Sequence, residues 1–178
     1  MGTICIQHFE APCGPMILGS YEGKLCLCDW RTKDSNRRER IDAHLQQALK
    51  ANYQLHPSAI ITQTAIELKE YFAGNRTTFD IPLLMIGTDF QRQAWQMLRT
   101  IPYGSTLSYA EEARRIGKPS AIRAVASANR ANPISILVPC HRVIGSNGTL
   151  TGYGGGLEAK QYLLDLERQE QQIPNFAL

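Results

Sequence analysis

From Thr88 onward, helix-opening signals follow one another so closely that little besides short packed helices fits between them. Thr88 and Gln91 form a capping box, in which a hydroxyl and an amide three residues on satisfy each other's backbone N–H groups. Phe90, Ala94, Leu98 and Ile101 then share one helical face, and Pro102 with Gly104 ends the run. Ser108 and Glu111 make a second box, opening a short helix with Ala110, Ala113 and Ile116 inward and Gly117 at its end. After Gly117-Lys118-Pro119 a third helix is predicted, with Ala121, Ala124, Val125 and Ala128 inward. Two short helices about a glycine-containing turn form a helix-turn-helix pattern. The pattern also fits ordinary packing of short helices. Arg114, Arg115, Lys118, Arg123, Arg130 and Arg142, within or near it, favour a polyanionic partner.

The stretch before Thr88 reads differently. Thr3–Phe9, Met16–Ser20 and Lys24–Trp30 are predicted as a β-meander, separated by Pro12-Cys13-Gly14-Pro15 and Glu22-Gly23. Arg37–Ala51 carries Ile41, Leu45, Ala48 and Leu49 at helical spacing. A second helix is predicted over Ala65–Ala73, capped by Thr64 and Glu67 and stopped by Gly74, with a further strand at Phe79–Leu83. The fold class is therefore a small antiparallel sheet with helices over residues 1–87, then a mainly helical, winged-helix-like part over 88–178.

Charge follows the same division. Residues 1–87 carry nine Lys/Arg against nine Asp/Glu, and residues 88–178 ten against seven, so the whole surplus lies in the second part. No apolar run nears the roughly 20 residues that cross a bilayer, and no leader pattern opens the chain, so a cytoplasmic protein without a membrane partner is expected. Five cysteines is an odd count in a chain of 178 residues, which fits free thiols rather than a disulfide framework. Cys26 and Cys28 share one face of a strand with no companion histidine, and no metal site is expected.

Chemistry concentrates in Ile136-Leu137-Val138-Pro139-Cys140-His141-Arg142-Val143, where an apolar strand is predicted to run into adjacent thiol and imidazole. A thiol of ordinary pKa is only a few per cent ionised at neutral pH, so a nucleophilic cysteine needs a base or a positive field, which His141 and Arg142 are placed to supply. A buried structural cysteine beside an incidental histidine is the alternative. On the C-terminal helix, about Leu157 to Arg168, Leu163 and Leu164 mark the inward face, and Glu167 falls on the same side. A carboxylate there needs a partner. His141 would complete a thiol–imidazole–carboxylate chain, and a nearby arginine would make a plain salt bridge. Asn132-Pro133 reads as a turn ahead of the reactive strand.

Pro139-Cys140-His141-Arg142-Val143 resembles the motif of the O6-alkylguanine-DNA alkyltransferases. The resemblance runs from about Phe90 to Glu167 and includes Trp95, Ile101-Pro102-Tyr103-Gly104, Ser108-Tyr109, Arg123-Ala124-Val125, Asn132-Pro133, Tyr153-Gly154-Gly155-Gly156 and Leu163-Leu164. It implies repair of double-stranded DNA containing O6-methylguanine, and O4-methylthymine, by irreversible single-turnover transfer of the alkyl group to Cys140, by a monomer without a cofactor. His141 would take the thiol proton through a water, Glu167 would orient His141, and Asn132 would brace the turn. Arg123 would fill the stack left by a flipped nucleotide, with Ser108, Tyr109, Ala124, Ser127, Asn129 and Arg130 at the DNA. Val143, Tyr153, Gly154 and Gly155 would line the base pocket, with Tyr109 at guanine N3. Extrusion is required because a stacked base hides its O6 methyl group.

Two departures stand out. Ala126-Ser127 occupies a position where similar proteins commonly have glycine, and Gly154 one often filled by serine or alanine, which suggests a roomier pocket. Three rival readings differ from alkyl transfer by stoichiometry or partner: a DNA-binding module without chemistry, a turning-over thiol hydrolase, and a transcriptional regulator.

Overall fold

A computed structural model describes residues 1–31 and 34–172. Strands β1 (Gly2–Ala11), β2 (Gly14–Tyr21) and β3 (Lys24–Trp30) form the expected antiparallel meander. Glu22 and Gly23 both take positive φ, 48° and 79°, between the paired Tyr21 and Lys24. This is the two-residue turn whose twist matches that of its strands. Helix α1 (Ser35–Leu49) follows, with the Asp34 carboxylate accepting from Arg37 N at 3.2 Å, and the left-handed Lys50 ends it.

The chain then adds β4 (Ala51–Leu55), parallel to β1, giving the order β3-β2-β1-β4. The sheet is therefore mixed, not antiparallel as expected. β4 is hard to see in sequence because it is an edge strand whose side chains are mostly exposed, leaving no apolar alternation to read.

Helix α2 (Ala59–Phe72) starts six residues before the predicted point. Ser58 is the true cap, its Oγ accepting from Ile61 N at 3.1 Å, while Thr64 lies buried inside the helix and returns its hydroxyl to Ile60 O at 2.7 Å. Glu67 does not cap; it is buried, paired with Arg76, and accepts from Asp80 N. Phe79–Leu83 is not a strand. Only Leu83 bridges Leu25, since Pro82 has no N–H to give a ladder.

The second part opens on α3 (Asp89–Leu98) with both bonds of the Thr88–Gln91 box formed, at 3.1 and 2.9 Å. Helices α4 (Tyr109–Arg115) and α5 (Ile122–Arg130) flank a turn through Gly117, whose φ is 77°. The second box is half made: Ser108 Oγ caps Glu111 N, but the Glu111 carboxylate turns to Arg114 and Arg115. Ala124 faces outward rather than inward, because Val125 and Ala128 take the buried stripe of α5. Short parallel strands β5 (Leu107–Ser108) and β6 (Val143–Ile144) pair, and α6 (Leu157–Gln172) closes the described chain.

One apolar core joins Phe9, Met16, Leu18 and Trp30 of the sheet to Leu68 and Tyr71 of α2, and on to Trp95, Leu98, Val138 and Leu163. Trp95 is wholly buried, with its indole N–H donated to Ala128 O at 2.8 Å. Burying such aromatic area is worth a few kcal/mol per ring and fixes α3 against α5. No helix among the described residues is long and apolar enough to cross a membrane.

Candidate active site

The segment before Cys140 is a tight turn, not a strand. Ile136 holds φ at 73°, a left-handed conformation costly for a β-branched residue, and Ser135 and Val138 bridge across it. Asn132 secures the turn at both ends, its Oδ1 accepting from Ile134 N and its Nδ2 donating to Val138 O, each at 2.9 Å. The same Nδ2 lies 3.3 Å from Cys140 Sγ. Cys140, His141 and Arg142 then form a single 3-10 turn, and all three are buried.

Behind that turn, Glu167 of α6 gathers donors. His141 Nε2 meets Oε1 at 2.8 Å, Arg142 donates through Nε and Nη2 at 2.8–3.2 Å, Tyr71 Oη donates at 2.9 Å, and Gly104 N at 3.3 Å. The imidazole and salt-bridge readings of Glu167 thus hold together. These donors keep its carboxyl far below the usual range against the opposing effect of burial. Because Glu167 is ionised, His141 carries its proton on Nε2, and burial keeps the ring neutral by lowering its pKa. Nδ1, buried and without a hydrogen bond among the described residues, is then a lone pair able to accept a proton.

Burial raises the Cys140 pKa, so the thiol is protonated at rest; the Asn132 hydrogen bond and the charges of Arg37 and Lys160 work the other way. Arg142 is not the source of that field: it is committed to Glu167 and to Ile101 O at 2.7 Å. Both actual cations escaped sequence reading. Lys160 is fully buried, its Nζ held by Val143 O at 2.6 Å and Thr151 O at 3.0 Å and lying 3.5 Å from Tyr109 Oη. It continues the stripe of Leu163, Leu164 and Glu167 one turn earlier, a signal that was available. Arg37, on α1, reaches Arg130 O, Asn132 O and buried Asp29 at 2.6, 3.1 and 2.8 Å, and nothing local in its charged neighbourhood marks it for burial.

A family model described as the 6-O-methylguanine DNA methyltransferase DNA-binding domain matches residues 89–169. A methylated-DNA–protein-cysteine methyltransferase of Mycobacterium leprae is 52% identical over 164 residues, 92% of each chain. One from Mycolicibacterium paratuberculosis is 61% identical over 103 residues, 58% of this chain and 62% of its own. A crystal structure of Mycobacterium tuberculosis OGT in complex with DNA has a TM-score of 0.78 and 41% identity over 93% of each chain. The chain belongs to the methylated-DNA–protein-cysteine methyltransferase family.

As a member of that family, the chain presents Arg123, Ala124, Ser127 and Arg130 on the exposed side of α5. Arg130 also pairs with Asp34 at 3.0 Å. Asn129, expected at the DNA, is instead buried and donates to Glu112 at 2.7 Å, because its position on α5 faces α4. Ser108 is occupied as the α4 cap. Tyr109 opens α4 and its hydroxyl donates to Thr151 O at 3.3 Å, while Val143 is buried in β6.

Tyr153, Gly154 and Gly155 are drawn toward the N-terminal sheet. Tyr153 Oη accepts from the Trp30 indole at 3.1 Å, and the glycines line a cleft of about 670 Å³ with Trp30, Arg31 and the Cys13-Gly14-Pro15 tip. The roomier pocket expected at Gly154 is not found. A Cβ there would come within 2.5 Å of Arg37 Cζ, and one at Gly155 within 2.8 Å of the Trp30 ring, so both spaces are filled.

Proposed function

We propose that this methyltransferase repairs double-stranded DNA directly, by moving the alkyl group of O6-methylguanine, and of O4-methylthymine, irreversibly onto Cys140. The observation that carries the reading is a buried Cys140 Sγ hydrogen-bonded by Asn132, next to a neutral His141 anchored on an ionised Glu167. The thiol gives its proton to His141 through a water. Sulfur then bonds the alkyl carbon as the carbon–O6 bond breaks, and that electron pair leaves with the guanine oxygen. Tyr109, at guanine N3, steadies the charge that develops on the base. The product thioether has no activated bond for water to cleave, so each molecule acts once.

Residues 1–87 act as an α/β unit and 88–178 as the DNA-binding and acceptor unit. The protein works as a monomer in the cytoplasm. Arg123 replaces the extruded base in the stack, with Ser108, Ala124, Ser127 and Arg130 along the backbone, and Val143, Tyr153, Gly154 and Gly155 close over the base once the latter three leave Trp30 and Arg37. The test is an intact and a peptide mass after incubation with duplex bearing O6-methylguanine. A gain of about 14 Da on Cys140, absent in Cys140→Ala, is expected for a methylated thiol. Turnover without mass gain would instead favour a thiol hydrolase.

A further inference from the structure

We propose that Glu112 is a neutral carboxylic acid in the folded protein, its proton closing a second hydrogen bond to the Asn129 carboxamide and so locking α4 to α5. The inference goes beyond alkyl transfer and stands whether or not Cys140 accepts an alkyl group.

Glu112 is fully buried on α4, and Asn129 is 5% exposed on α5. Asn129 Nδ2 donates to Glu112 Oε2 at 2.7 Å. The remaining polar atoms of the two groups, Glu112 Oε1 and Asn129 Oδ1, are both buried and neither has a hydrogen bond among the described residues. In a carboxylate both are acceptors, and two buried acceptors without a donor are costly. A carboxylic acid and a carboxamide are complementary: one proton on Oε1 turns it into a donor for Oδ1 and satisfies both atoms at once.

Among the described residues, no cation pairs with Glu112. Its own helix carries Glu111, Arg114 and Arg115, which pair with one another on the exposed side. From α5, Arg123 is exposed and Arg130 pairs with Asp34. Arg92 of α3 pairs with Asp89, Arg99 at its C-terminal cap is exposed, and Lys118 of the α4–α5 turn lies over the Phe90 ring, 5.0 Å from its centroid. β5 and β6 bring no ionisable side chain. Tyr109, one turn back on α4, feels Glu112 electrostatically, and Lys160 beyond it is held by backbone carbonyls. Burial without a cation accordingly pushes the Glu112 carboxyl up to about 7.

The consequence has a definite sign. A folded-state pKa above the unfolded value of about 4.3 means that the stabilisation is full below that value and is lost as pH rises through neutrality. What loosens is the packing of α4, which begins with Tyr109, against α5, which carries Arg123.

Glu112→Gln supplies an amide N–H to Asn129 Oδ1 at every pH and is the test. Thermal unfolding of the full chain is followed from about pH 5 to pH 8, alongside a ¹³C NMR titration of the Glu112 carboxyl assigned through its own backbone. The expected result is a wild-type Tm that falls relative to E112Q by about 5 °C or more over that range, with the carboxyl titrating near neutrality. A Tm difference that does not change with pH, or a carboxyl titrating in the ordinary range near 4 to 5, overturns the proposal. If E112Q does not fold, the wild-type titration decides alone.

Discussion

Replacing Glu167 by glutamine keeps the side-chain shape and removes its charge, which isolates what the carboxylate does. Five donor groups converge on its two oxygens among the described residues: Tyr71 Oη, Gly104 N, His141 Nε2, and Arg142 Nε and Nη2. In Glu167→Gln an NH₂ group points at donors, and Arg142, only 7% exposed, loses its counter-ion. Removing one member of a buried ion pair costs about 3–5 kcal/mol. For a chain of this size that corresponds to a Tm lower by about 6–20 °C. The deficit carries a pH signature. Because the folded pKa of Glu167 is depressed, the wild-type advantage is full above the unfolded value of about 4.3 and is lost as pH falls toward the folded one. Calorimetry near neutral pH and at about pH 3 should therefore find a wide gap that narrows in acid. A variant melting within about 2 °C of the parent at neutral pH, or a gap indifferent to pH, would refute the view of Glu167 as the ionised hub of the site.

Three further outcomes follow. Asn132→Ala removes the hydrogen bond that lowers the Cys140 pKa, so the pH midpoint of Cys140 alkylation by iodoacetamide should move upward, as read by peptide mass. Gly154→Ser forces a Cβ against Arg37 and should cost about 1–3 kcal/mol in denaturant unfolding; in a double-mutant cycle, much of that cost should vanish when Arg37 is already alanine. Lys160→Met strips the donor from buried Val143 O and from Thr151 O and should destabilise by about 1–3 kcal/mol, measured by urea titration. A Lys160→Met protein as stable as its parent would mean that other donors reach those carbonyls.

Local signals carried a good part of the architecture. The turns of the β1–β3 meander, the Thr88–Gln91 box, the Gly117 turn and the stripe that turns Glu167 inward are set by residue types and spacings within a few positions, which the sequence expresses directly. The α2 start was misread because Thr64-x-x-Glu67 mimics a cap, and only the pull of Arg76 and Asp80 N reveals that Glu67 has another use. The strand expected at 136–138 became a turn because Asn132 holds both its ends.

What the sequence determined by itself was the chemical inventory, a thiol beside an imidazole with a carboxylate on an apolar helix face, together with the helix-turn-helix beside it. Only the tertiary structure decided which charges act on the thiol. Arg37 comes from the other end of the chain, Lys160 is swallowed by α6 packing, and Arg142, the nearest cation in sequence, is spent on Glu167. Electrostatic influence depends on distance through a low-dielectric interior, and separation along the chain does not measure that distance.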